Sequence, residues 1–210
     1  MDSPWSERRA APRTLLVVAA VSAAISALCI LLIDQPVART IAQYEASPLW
    51  DHGIDALEWT ILLPLHKLVL PIALVVGMLV MVSVKPWRRH APTWMFVAGV
   101  HLVSRLTTNW FKDGTGRLRP GSWLKQGSDE TFGWDGGVSF PSGHVVLFAS
   151  VIIPLIVVFP RWRPLLVVVG FVALARVAVN AHFLSDVLAA ITLVSLWTWA
   201  VGWLVRPCRR

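Results

Sequence analysis

Cysteine is almost missing from this chain. Two are present in 210 residues, Cys29 and Cys208. Cys29 falls inside a long apolar run and Cys208 in a basic tail, so a disulfide between them is not expected and neither has a metal-ligand neighbour at useful spacing. Clusters of acids or histidines at metal-ligand spacing are also missing, and no cofactor is implied. GTG at Gly114 to Gly116 lacks a following Gly-Lys-Ser/Thr, which argues against a nucleotide loop. No internal repeat, low-complexity tract or flexible linker marks a second domain, so residues 1–210 read as a single unit. Acids are the scarcer charge, 12 against 19 lysines and arginines, for a net charge of +7. The basic residues are divided among short segments between apolar runs, which excludes a nucleic-acid surface.

Long apolar runs dominate instead. Hydrophobic residues make up 56% of the chain, with 12 tryptophans. Thr14 to Ile33, Leu68 to Val84 and Val187 to Val205 carry no charge. Thr93 to Phe111 is interrupted by His101 and Arg105, Val145 to Phe159 is apolar throughout, and Pro164 to Ala181 holds only Arg176. A helix needs roughly 20 residues to span the hydrocarbon layer. These runs therefore predict an all-α integral membrane protein with six transmembrane helices, the fourth beginning near Ser142. The first, about 14–33, reads as an uncleaved anchor, because no A-x-A cleavage pattern follows it.

Charge sets the orientation. Arg8, Arg9 and Arg13 precede the first run, Lys85, Arg88 and Arg89 follow the second, Arg161 and Arg163 follow the fourth, and Arg206, Arg209 and Arg210 end the chain. All fall on one side of a six-helix layout, and short basic loops mark the cytoplasmic side. Both termini are thus expected inside. Trp87, Trp94, Trp110, Trp162, Trp197, Trp199 and Trp203 lie near run ends, as an aromatic belt at headgroup level would. The mixed segment from Asp34 to about Leu65 is expected to form outer loops or a short interfacial helix.

Three segments on the outer side gather the reactive groups. In Lys112 to Pro120 (KDGTGRLRP), Gly114, Gly116 and Pro120 should break the helix and present Lys112 and Arg119 on a loop. Arginine offers phosphate a planar fork and lysine a compact charge. In Phe140 to His144 (FPSGH), Ser142 suits an N-cap, Gly143 admits close backbone approach, and a helix N-terminus favours an anion. His144 then falls in the first turn. In Arg176 to Asp186 (RVAVNAHFLSD), His182 and Asp186 are four apart and meet on one helical face. A carboxylate on one imidazole nitrogen leaves the other to attack or to accept a proton. Further in, His101, Ser104, Arg105, Thr108, Asn109 and Lys112 form one helical stripe that must face the bundle interior. Arg105 is expected to serve structure there.

These segments fit K-x6-R-P, P-S-G-H and the R-x5-H-x3-D core of a third signature. The chain resembles the type 2 phosphatidic acid phosphatase (PAP2) superfamily, in its bacterial membrane branch, with the catalytic core at about 93–205. One departure is Ala175, where the family usually has serine before the arginine. The resemblance implies a metal-independent lipid phosphatase of the bacterial inner membrane, with its site facing the periplasm or exterior. It implies that His182 attacks phosphorus with Asp186 orienting it, and that His144 protonates the leaving oxygen. Lys112, Arg119, Ser142, Gly143 and Arg176 would hold the phosphoryl group. Implied substrates are undecaprenyl pyrophosphate, phosphatidylglycerol phosphate, phosphatidic acid or lipid A, selected by the region 121–139. Some relatives transfer phosphate between lipids, which is the alternative outcome for the same site. An anion or lipid transporter is the reading of a different class. The gathering of reactive groups at one face, without visible inverted repeats, weighs against it.

Overall fold

The computed structural model describes residues 11–60, 69–127, 134 and 136–204. Every regular element among them is helical. The first apolar run forms α1 (Ala11–Leu28), which continues through a π-helical turn (Cys29–Ile33) into α2 (Asp34–Ile41). After α3 (Pro48–Thr60) come α4 (Val69–Ser83), a 3₁₀ turn at Lys85–His90, and the long α5 (Ala91–Thr115). A short α6 (Pro120–Lys125) leads to α7 (Gly143–Val158), a second 3₁₀ turn at Pro160–Leu165, α8 (Leu166–Ala178) and α9 (Leu184–Leu204). Each of the six apolar runs is helical over most of its described length, and the helices stop short of the run ends, before Val84, Phe159 and Val179. The helix from Arg13 to Ile41 and α9 are long and apolar enough to cross a membrane, while α4 and α7 are shorter apolar helices. α5 is longer than α9 but carries the polar stripe.

α7 occupies the centre. Val145, Val146, Leu147, Ala149 and Ile153 are buried and pack with Val172 of α8 and Val187, Ala190 and Val194 of α9. α1 lies along α9. Two serines in an otherwise apolar helix make the polar contacts between them: Ser22 Oγ pairs with Thr192 Oγ1 at 2.8 Å, and Ser26 Oγ donates to the Ser185 carbonyl at 2.9 Å. Such bonds between helices contribute up to about 1–2 kcal/mol each in an apolar medium. The outer faces keep large apolar side chains exposed, including Val17, Leu31, Ile72, Leu79, Leu106, Val167 and Leu174. Helices that are hydrophobic on their exposed faces suit lipid rather than water.

Of the two forms expected for the stretch after α1, the described residues take the helical one, in two helices, and 61–65 lie outside the described residues. α3 begins at Pro48, a residue whose fixed φ suits a first turn. Its Trp50 stacks on Phe171 of α8, with ring centroids 5.7 Å apart. α6 sits against α2, where Arg39 covers the Trp123 ring at 5.3 Å. These contacts draw α2, α3 and α6 over the end of the bundle at which α5 stops and α7 and α9 start.

Candidate active site

α5 runs further than its glycines suggest. It ends at Thr115, with Gly116 as a left-handed cap (φ 60) donating its N–H to the Lys112 carbonyl. Lys112 is therefore in the last helical turn and not on a loop, a correction to the expectation from Gly114. A glycine near a helix end costs only about 1 kcal/mol, too little to stop a helix otherwise supported by packing. Arg119 does lie outside regular structure, at the N-cap of α6. The stripe below it is placed inward as expected: His101, Ser104 and Thr108 are fully buried, and only Asn109 is exposed. Arg105 Nη1 donates to the Gly143 carbonyl at 3.2 Å, tying α5 to the first turn of α7.

Ser142 is the N-cap of α7, with extended ψ. Its side chain makes no capping bond, and its buried Oγ has no partner among the described residues. Its backbone N–H donates to the Asp186 carbonyl at 3.0 Å, which joins the starts of α7 and α9. A Cβ on Gly143 would stand 3.4 Å from Lys112 Nζ, so the ammonium sits directly over the helix mouth. The free N–H groups and positive dipole end there, beside an ammonium, make a strong anion position.

His182 lies just ahead of α9 instead of within it, because the chain turns at Ala181–His182 with both N–H groups donating to the Arg176 carbonyl. The pairing with Asp186 forms nonetheless. His182 Nδ1 is 3.3 Å from Asp186 Oδ2 and 3.2 Å from Ser139 Oγ, and Ser139 Oγ donates to the same carboxylate oxygen at 2.6 Å. The Phe183 N–H adds a third bond to Oδ2 at 3.0 Å. With Nδ1 engaged, Nε2 is the nitrogen left for chemistry. Burial pushes the imidazole below the ordinary histidine value, against the opposing pull of Asp186. A neutral ring is thereby favoured.

Arg176, in the last turn of α8, keeps its buried Nε without a partner among the described residues. Arg176, Arg119, Lys112 and His182 all lie close enough to His144 to act on its charge. The structure thus brings together every residue expected from the three segments: Lys112, Arg119, Ser142, Gly143, His144, Arg176, His182 and Asp186.

It also adds five that the sequence reading passed over. His144 Nε2 lies 2.7 Å from Glu58 Oε1 at the end of α3. Burial pushes the Glu58 carboxyl above the ordinary value; Asp55 adds to this and Arg176 opposes it. Arg117 is fully buried behind Asp186, with Asp34, Ser185 and Ser139 around it. Arg117 and Ser139 stand within or beside the reactive segments, which was their only signal. Glu58 and Asp34 had none, since their partners are far away in the chain.

A strap carries Ser139 into place. Gly137 N–H donates to the Gly116 carbonyl at 2.7 Å and Ser139 N–H to the Arg117 carbonyl at 2.8 Å. The approach is so close that a Cβ on Gly137 would fall 2.2 Å from the Arg117 carbonyl oxygen, so only glycine fits. Part of the region 121–139, expected to select the substrate, lies outside the described residues.

A family model described as the PAP2 superfamily matches residues 93–210, more than half of the chain. The chain belongs to that superfamily. Its members are phosphatases, which supports a hydrolase role. Neither a curated protein nor a solved structure matches the chain.

Proposed function

From this membership we propose that the protein is a metal-independent phosphatase removing phosphate or pyrophosphate from a membrane lipid. The observation that carries the proposal is the buried His182–Asp186 pair, placed at the same helix end as Lys112, Arg119, Arg176 and the open N-terminus of α7. His182 Nε2 attacks phosphorus, and Asp186 stabilises the charge that develops on the ring. As the bond from phosphorus to the lipid oxygen breaks, His144 gives that oxygen a proton. Water, losing a proton to His144, then attacks the phosphohistidine and frees His182 and phosphate. Lys112, Arg119, Arg176, Ser142 Oγ and the α7 backbone N–H groups hold the phosphoryl oxygens and stabilise their transition-state charge.

An apolar cavity of about 320 Å³ supports a lipid as the substrate. It lies between α1 and α9 and is lined by Ser26, Ile30, Phe111, Phe140, Pro141 and Leu193 among others. Phe111 adjoins Lys112 and Pro141 adjoins Ser142, so a chain in the cavity would start beneath the phosphate position. The six-helix layout, with both termini in the cytoplasm and the site facing the periplasm or exterior of a bacterial inner membrane, completes the proposal. It rests on the charge asymmetry between loops.

The test is phosphate release by purified protein in detergent, with undecaprenyl pyrophosphate, phosphatidylglycerol phosphate, phosphatidic acid and lipid A offered separately. Release from one of them, absent in His182→Ala, is the expected result. Equal release by His182→Ala would refute the proposal.

A further inference from the structure

Behind the reacting pair lies a second row of charge. Arg117 Nη1 donates to Asp186 Oδ1 at 2.6 Å and to Ser185 Oγ at 2.6 Å. Its Nη2 donates to Asp34 Oδ2 at 2.8 Å. Asp34 also accepts the Ser185 N–H at 3.1 Å on Oδ1 and the Ser185 hydroxyl on Oδ2. Asp34, Arg117, Ser185 and Asp186 are all at most 1% exposed. The guanidinium packs against Phe183 at 4.3 Å and Trp134 at 4.9 Å. Two carboxylates and one cation are thus held away from solvent, where each unpaired charge would be very costly.

The two oxygens of Asp186 have divided tasks. Oδ1 is taken by Arg117, while Oδ2 faces His182 Nδ1. The bond from Arg117 Nη1 holds Oδ1 in place and draws the carboxylate's charge away from the ring. Asp34 in turn moderates Arg117. Holding α1 against the bundle does not require this arrangement, since Ser22 with Thr192 and Ser26 with the Ser185 carbonyl already do so without charge. We infer that Arg117 and Asp34 are positioning residues for the reaction, forming a buried Asp34–Arg117–Asp186 chain that sets both the aim and the charge of the carboxylate behind His182. Asp34 lies outside the segment that matches the family. The helix from Arg13 to Ile41 is therefore part of the active site and not only an anchor.

The inference rests on the phosphatase reading for its consequence, but its physical content is testable without turnover. Loss of the Arg117 charge leaves two unrelieved carboxylates, so His182 should bind its proton more tightly. Loss of the Asp34 charge removes an acid that shares Arg117 with Asp186, so Arg117 draws more strongly on Asp186 and His182 should bind it less tightly. Among the described residues the other charged or titratable groups acting on His182 include Lys112 of α5, Arg176 of α8 and His144 of α7, with Arg119 ahead of α6 beside His144. They are the same in both variants.

The experiment is an NMR pH titration of the full chain in detergent, with carbon-13-labelled histidine and the His182 signal identified by its loss in His182→Ala. Arg117→Met should raise the midpoint and Asp34→Asn should lower it, each by about one pH unit for a charge several ångströms away. Coincident midpoints, or the reverse order, would overturn the inference. Asn preserves the shape of Asp34, so that variant decides alone if Arg117→Met does not fold. Phosphate release from the same samples separates the two readings. Ordered midpoints in a parent protein that releases nothing would sink the phosphatase reading and leave the charge chain standing.

Discussion

His144 Nε2 and Glu58 Oε1 are 2.7 Å apart, a contact between the first turn of α7 and the last turn of α3. It gives the second histidine a carboxylate of its own, as Asp186 serves the first. On the proposed mechanism Glu58 aims the His144 ring and stabilises the proton it carries before the first half of the reaction and regains from water in the second. Glu58→Gln should therefore reduce kcat by about tenfold, part of the ~10²–10⁴ that a positioned acid supplies. KM should change little. Steady-state kinetics on the released phosphate checks this, and an unchanged kcat would remove Glu58 from the site.

Acid should weaken the fold through His182. Burial holds its ring below the ordinary histidine value, so the unfolded chain takes up a proton that the folded one resists. That contribution to stability is fully present above about pH 6.5, the ordinary value. It is lost as pH falls from there toward the lowered one. Thermal melts in detergent across this range should show a steeper loss of Tm for the parent than for His182→Asn. Parallel curves would contradict the assignment.

The three reactive segments were legible because their chemistry is local. Ser142 and Gly143 open α7, and the four-residue spacing of His182 and Asp186 survives even though His182 precedes the helix. What sequence could not show is what lies behind them. Asp34 meets Arg117 across 83 residues of chain, and Ser139 reaches His182 across 43. No periodicity links such positions. Lys112 was misplaced for the opposite reason: Gly114 looks like a break, yet α5 runs on to Thr115. Length and hydropathy alone mark the six apolar runs as helices, and each is helical over most of its described length.

Two glycines should respond oppositely to alanine. At Gly137 the new Cβ would meet the Arg117 carbonyl oxygen at 2.2 Å, and the strap carrying Ser139 must move. Gly137→Ala should cost about 2–4 kcal/mol and most of the activity. At Gly114 nothing lies within 4 Å of the added carbon, and the residue is helical. Gly114→Ala should be neutral or stabilise by up to about 1 kcal/mol. Unfolding midpoints in detergent distinguish the two, and equal effects would show that the strap does not hold Ser139.

Chelation should leave the enzyme working. On the proposed mechanism the phosphate oxygens would be met by Lys112, Arg119, Arg176 and the α7 N-terminus, so charge neutralisation would not need a cation from solution. Release rates with and without excess EDTA should agree within error. Loss of activity that returns on adding a divalent cation would contradict the mechanism.

The most direct measurement is a rapid acid-free quench of the purified protein with a radiolabelled lipid phosphate that it turns over, followed by mapping of the label. The account predicts an alkali-stable, acid-labile phosphate on His182, transient in the parent and missing from His182→Ala. Label on His144 instead, or full turnover with no label on any histidine, would contradict it.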